Sequence, residues 1–271
     1  MALGFVLVLN ATGAVNFAQG DLVMAGGYAA AALAAAFPVP GAALLPLVMA
    51  AMAVLGLTVA WLGYFPLMRR PATAVFISTI AIGLILQNGA LHVFGAAPRA
   101  APPLWTNGRI AFGGLVLANQ ALAVIVVAAI LIAAQHWLIE RTQFGRRLRA
   151  TAADREMAQA LGIPVRAMIA ASFALGAALA GAAGLLLANQ FYVTPNEGGA
   201  LILKAYIAVV IGGWGSLRGA VIGAFLIAFF ETLVAAAFSY TLATALLYAA
   251  LLAILLVRPQ GIFGEAAGRR A

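Results

Sequence analysis

Runs of about twenty apolar residues, such as 42–62, 73–94 and 115–138, recur along the chain with only short polar breaks between them. At 1.5 Å per residue a helix of that length crosses the ~30 Å hydrocarbon layer of a bilayer. Within lipid, a helix also satisfies all of its own backbone donors and acceptors. These runs therefore predict an all-α, polytopic membrane protein of seven or eight transmembrane or half-membrane helices. Composition excludes a soluble alternative, because only 8% of the residues are charged against about 25% in a soluble domain. Mean hydropathy is +1.08. The net charge of +8 is concentrated in loops between apolar runs, so it reads as membrane topology rather than nucleic-acid binding.

The one long polar segment is residues 140–166, ERTQFGRRLRATAADREMAQALGIPVR. It holds Arg141, Arg146, Arg147, Arg149, Arg155 and Arg166. Thr151 followed by Asp154 fits a capping box, and Gly162 with Pro164 fits a helix stop. The expectation is a helix over 152–161, roughly 15 Å long. Met157 and Leu161 lie four apart on one face, Arg155 and Gln159 on another. A capped amphipathic helix between spans has the form of a docking element; the plainer reading is a solvated loop with one helical turn. By the positive-inside rule this segment, the pair Arg69–Arg70 and the tail residues Arg258, Arg269 and Arg270 share one side. That parity requires the short run 198–216 to cross. The loop 95–114, with Pro98, Pro102 and Pro103, is expected to be extended, and PVPG at 38–41 to be a turn.

Several chemistries are excluded. There is no cysteine, hence no disulfide or thiolate site. Lys204 is the one lysine, and no GxxxxGK[ST] surrounds it, so any ATP that drives this chain is hydrolysed elsewhere. His92 and His136 fall on opposite sides of the membrane, and neither HExxH nor GxSxG occurs. No catalytic residue, metal ligand or cofactor is expected. No basic run precedes the first apolar stretch, so the start does not read as a signal peptide.

The informative polar residues are those inside the membrane, where an ionised side chain is costly and marks function. Two short apolar runs, 2–15 and 22–37, flank NFAQGD at 16–21. They form either two short spans around a tight turn or two halves of a broken helix. Asn16, Gln19 and Asp21 at that break border a substrate path on one reading; on the other, Asp21 merely caps the next helix in a plain turn. Gly176, Ala180 and Gly184, and again Gly215, Gly219 and Gly223, recur every four residues, which suits close helix packing. Lys204 and Glu231 stand at matching depths, roughly 9–10 Å in, on neighbouring antiparallel spans. They are expected either to pair, or for Lys204 to snorkel outward while Glu231 is protonated or bonded to Tyr206 or Ser172.

Five ordered motifs, GAVNFAQGDLVMAGGYAA, TQFGRRLRATAADREMAQALGI, FALGAALAGAAG, LKAYIAVVIGGWGSLRGAVIGA and LVRPQGIFG, resemble the branched-chain amino acid (leucine/isoleucine/valine) permeases of ABC importers over residues 2–264. The resemblance implies a single permease domain, 1–264, with a coupling loop at 140–166 and a cytoplasmic tail at 265–271. It also implies a homologous permease partner, two cytoplasmic ATPase subunits and an extracytoplasmic substrate-binding protein, in a bacterial plasma membrane. Arg146, Arg147, Arg149, Arg155, Met157, Leu161 and Gly162 lie in the stretch where such permeases meet the ATPase. Members of the family usually carry a further apolar helix before the first run found here, and some carry urea or short amides. The rival class is an ion-coupled secondary carrier working through Asp21 or Glu231 without an ATPase.

Overall fold

The architecture, taken from a computed structural model, describes residues 1–37, 40–105, 108–112, 115–257 and 261. The turn expected at 38–41 and the tail arginines Arg258, Arg269 and Arg270 fall wholly or partly outside them. Among the described residues, six helices are long and apolar enough to cross a membrane. They are α3 (Gly41–Val59, continued by a π-helical turn over Ala60–Tyr64 and a 3₁₀ turn over Phe65–Leu67), α4 (Ala72–Phe94), α5 (Asn119–Arg141), α8 (Val165–Gln190), α10 (Leu217–Ala237) and α11 (Tyr240–Val257). Two apolar helices are shorter, α1 (Ala2–Thr12) and α9 (Gly198–Gly212). Between α1 and α3 lies α2 (Gln19–Ala36); α6 (Gln143–Ala153) and α7 (Arg155–Ala160) occupy the polar loop.

The hub is α8: 61% of its apolar window is buried, against 28% or less in the other five long helices. Small residues let α1, α2 and α3 approach it closely. A Cβ on Gly4 would lie 2.7 Å from Gly176 O, one on Gly26 2.5 Å from Gly181 Cα, and one on Gly184 2.1 Å from Val23 O. The spaced glycines at 176 and 184 thus pack backbone to backbone, with Ala180 fully buried between them. Without apolar solvation to drive helices together in lipid, such contact is a main source of cohesion. Gly184→Val should force α2 off α8 and cost at least about 3 kcal/mol, the upper range for overpacking a tight core. Denaturation in detergent would measure it, and wild-type stability would show that the contact is dispensable. Gly219 and Gly223 make the equivalent approach to Gly212 and Ala208 of α9. Gly215 lies instead in the preceding turn, with φ of 82°.

The N-terminal break takes a form that neither sequence reading described. Gly176 of α8 faces Gly4 and Val8, and the far end of α1 reaches Arg155 of the polar loop. So α1 runs antiparallel to α8 toward that loop. Gln19, at the start of α2, is back beside Gly176, and Val23 and Gly26 lie against Gly184 and Gly181. Residues 13–18 therefore return the chain into the bundle, and α2 leaves parallel to α8. The reversal begins at Gly13, whose φ of 66° suits a residue without a Cβ.

Three further boundaries are corrected. The expected span 115–138 begins four residues late, because Arg109–Phe112 (β1) and Leu115–Ala118 (β2) pair antiparallel in the otherwise extended loop. A short apolar run such as 115–118 suits a strand as well as a helix, and a count of apolar residues does not tell the two apart. The run 198–216 is helical only to Gly212, about 22 Å at 1.5 Å per residue and short of a full span. The single helix expected over 152–161 is two helices, α6 and α7, meeting at Asp154. Gly261 backs onto Val210 and Gly213, at the same end of the bundle as the α9–α10 turn and the polar loop.

Candidate translocation site and docking loop

The start of α2 is a buried polar knot. Asn16, Gln19 and Asp21 are only 3%, 0% and 5% exposed, which rules out a solvated turn. Each has a partner. Asn16 Oδ1 accepts from Ala18 N at 3.2 Å, turning the chain into α2. Gln19 Nε2 donates to Gly176 O at 2.9 Å, and Gln19 Oε1 accepts from Asn16 Nδ2 at 3.4 Å. Asp21 Oδ1 accepts from Gln87 Nε2 of α4 at 2.7 Å. Thr79, also on α4, accepts from Phe17 N at 3.1 Å.

Two glycines make room for the Asp21 carboxylate. A Cβ on Gly83 would sit 2.3 Å from Oδ2 and one on Gly198 1.9 Å from Oδ1. Gly198 is the first residue of α9, and Asp21 lies in the first turn of α2. The first turns of two helices, with their positive dipole ends, therefore lie beside one carboxylate. This is the environment that makes an acidic side chain tolerable inside a membrane bundle. Mutual packing of α2, α4, α8 and α9 fixes the arrangement, with Phe17 edge-on to Phe76 at 4.7 Å beneath it.

In the polar loop, Thr142 rather than Thr151 caps α6, accepting from Gly145 N at 3.3 Å. Thr151 is buried inside α6, its hydroxyl donating to Arg147 O at 2.9 Å. Asp154 caps α7, accepting from Glu156 N at 2.9 Å and Met157 N at 3.0 Å. A stronger cap in mid-segment split the expected helix: Asp caps at least as well as Thr, and a Thr within a helix bonds back to its own turn. The far end closes as a Schellman motif: Ile163 N bonds Ala158 O and Gly162 N bonds Gln159 O, both at 2.9 Å, with Gly162 at φ 76°. Met157 and Leu161 are 59% and 73% exposed, while Ala158 faces inward at 2%.

The arginines divide. Arg146, Arg147 and Arg166 are exposed. The guanidinium of Arg149 donates to Ile139 O near the end of α5. That of Arg155 turns inward to Ala11 O, at 3.2 Å, and Thr12 O at the end of α1. Arg218 Nη2 meets both oxygens of Glu140, at 2.8 and 2.9 Å, tying α10 to the end of α5.

In the middle of α9, Lys204 Nζ lies 2.6 Å from Glu231 Oε1 of α10 and 2.9 Å from Tyr240 Oη of α11. Their side chains are 27% and 14% exposed. Ser172 donates to Met168 O, and Tyr206 stands edge-on to Phe5 and Trp214, so neither is the partner of Glu231.

The family described as the branched-chain amino acid transport system / permease component matches residues 1–256. The chain belongs to this family. It is 30% identical to the high-affinity branched-chain amino acid transport system permease protein BraD of Pseudomonas aeruginosa, over 98% of this chain and 91% of that one. It is 33% identical to the corresponding LivH of Escherichia coli K12, over 98% and 90%. The probable branched-chain amino acid transport permease protein LivH of Methanocaldococcus jannaschii is 32% identical, over 97% and 87%. No solved structure matches the chain.

In this branched-chain amino acid permease fold the sequence reading found one side of the knot and missed the other. Gln87 is a single polar residue toward the outer end of an apolar span, with nothing nearby in sequence to name its partner. Thr79, Gly83 and Gly198 carried no local signal, because their role arises only where α4 and α9 cross α2. Tyr240, the second partner of Lys204, follows Ser239 at the start of α11, and nothing adjacent in sequence marks it as a partner. Gln19 is fully buried, so a cysteine there should resist a small polar thiol reagent in this conformation. The chain has no other cysteine, and labelling is expected to rise at least tenfold during turnover. A site inert in every state would make the knot a purely structural turn.

Proposed function

We propose that this chain is the membrane-spanning permease subunit of an ATP-driven ABC importer, carrying branched-chain amino acids or a related small polar solute. The observation that carries the reading is α7, a helix closed at both ends that presents Met157 and Leu161 to solvent beside exposed arginines. A carrier working alone has no use for two bare apolar side chains there; an ATPase surface does. The partners are then a homologous permease, two ATPase subunits that hydrolyse the ATP, and an extracytoplasmic binding protein. The polar loop and the end of α11 face the cytoplasm of a bacterial inner membrane. The chain itself needs no cofactor and performs no catalysis.

Asn16, Gln19 and Asp21, with Gln87 opposite, border the translocation path. Two helix N-termini and a carboxylate offer complementary charge to a zwitterion, which suits an amino-acid substrate. The deciding experiment is transport in vesicles containing the four subunits and the binding protein. Uptake should require ATP inside and be indifferent to proton or sodium gradients. Uptake driven by a gradient with no ATPase present would establish a secondary carrier instead.

A further inference from the structure

We infer that Arg155 is a positioning residue that transmits movement of α7 to the buried knot at Asn16, Gln19 and Asp21. The inference rests on the importer reading above. Arg155 is the first residue of α7, where a cation opposes the helix dipole and a carboxylate would be favoured. Its placement therefore does nothing for α7 itself. Its guanidinium instead donates to Ala11 O and Thr12 O, carbonyls in the last turn of α1. These groups have no partner within their own helix, and a cation is best placed there. Arg155 is a C-cap supplied across 143 residues of sequence.

The position gives the cap a mechanical consequence. Residue 13 follows the capped turn at once, and the chain then climbs through 14–18 into Gln19 and Asp21. Thr12, itself 7% exposed, also ties this corner together, its hydroxyl reaching Val8 O at 2.7 Å and Ala14 O at 3.0 Å. On the neighbouring side Asn10 Nδ2 donates to Gly215 O at 2.9 Å, joining α1 to the α9–α10 turn. The same six-residue helix thus offers Met157 outward and grips α1 inward. A push on its outer face reaches the end of α1, and through residues 13–18 the start of α2.

The test uses the assembled transporter in vesicles, with Arg155→Gln and Arg155→Lys. Both are read as substrate carried per ATP hydrolysed, so a change in ATPase docking or hydrolysis alone cancels from the comparison. Substrate carried per ATP should fall about tenfold or more in Arg155→Gln. It should be partly restored in Arg155→Lys, whose single nitrogen can still donate to two carbonyls. A second readout is one that a merely structural role would not move. In a Gln19→Cys background, ATP should change the thiol labelling rate, and Arg155→Gln should abolish that response. An unchanged ratio of transport to hydrolysis, or an unchanged labelling response, overturns the inference. If Arg155→Gln does not assemble, the labelling response of Arg155→Lys decides by the same criterion. A wild-type protein without ATP-dependent uptake would fail the importer reading instead, so the two failures are distinct.

Discussion

With Met157 and Leu161 both replaced by aspartate, the permease is expected to insert and purify but to lose its ATPase partner. Each apolar side chain buried in an interface contributes about 1.5–3 kcal/mol. Removing two costs at least about 3–4 kcal/mol, which is two to three orders of magnitude in affinity. The added carboxylates deepen the loss, since charge at an interface core without a counter-charge is unfavourable. Insertion is spared because both side chains already face solvent and the inward contact is made by Ala158. Membrane extraction followed by co-purification with tagged ATPase measures the effect. Stoichiometric recovery of ATPase with the double variant would move the docking surface away from α7.

That prediction came from a sequence feature whose details were misplaced. The Gly162–Pro164 stop and the apolar pair were legible because they depend on a few adjacent residues. The start of the helix was not, because two capping residues, Thr151 and Asp154, competed within one turn. Packing of the preceding segment gave Thr151 to α6. The long spans were legible for the same local reason, each being set by its own length and apolarity. The reversal at Gly13 was not, since α1 alone is an ordinary apolar stretch. Its direction is fixed by contacts with α8 and with Arg155, more than a hundred residues away. The site followed the same division. Asn16, Gln19 and Asp21 announce themselves as polar residues in an apolar setting, whereas Gly83 and Gly198 matter for what they leave out. No pattern within α4 or α9 shows that a carboxylate needs the space.

The Lys204–Glu231 contact is the feature that sequence located from depth alone, and it supports the other large effect. Lys204→Met should destabilise the permease by about 3 kcal/mol, at the lower end of the 3–5 kcal/mol for stripping one partner from a buried pair. The lower end is appropriate because the side chains are 27% and 14% exposed, so solvent retains some access. The loss is asymmetric. Without Lys204, Glu231 is left as a bare carboxylate among apolar helices, which is costly. In Glu231→Gln the ammonium keeps Tyr240 Oη at 2.9 Å and gains an amide oxygen as acceptor, so that single change should cost only about 1 kcal/mol. The double variant Lys204→Met with Glu231→Gln leaves no buried charge and should recover about 2 kcal/mol relative to Lys204→Met. Reversible unfolding in mixed detergent closes the cycle. A double variant as unstable as the sum of the two singles would mean that the charges stabilise the bundle independently. A Glu231→Gln cost equal to that of Lys204→Met would remove Tyr240 from the account.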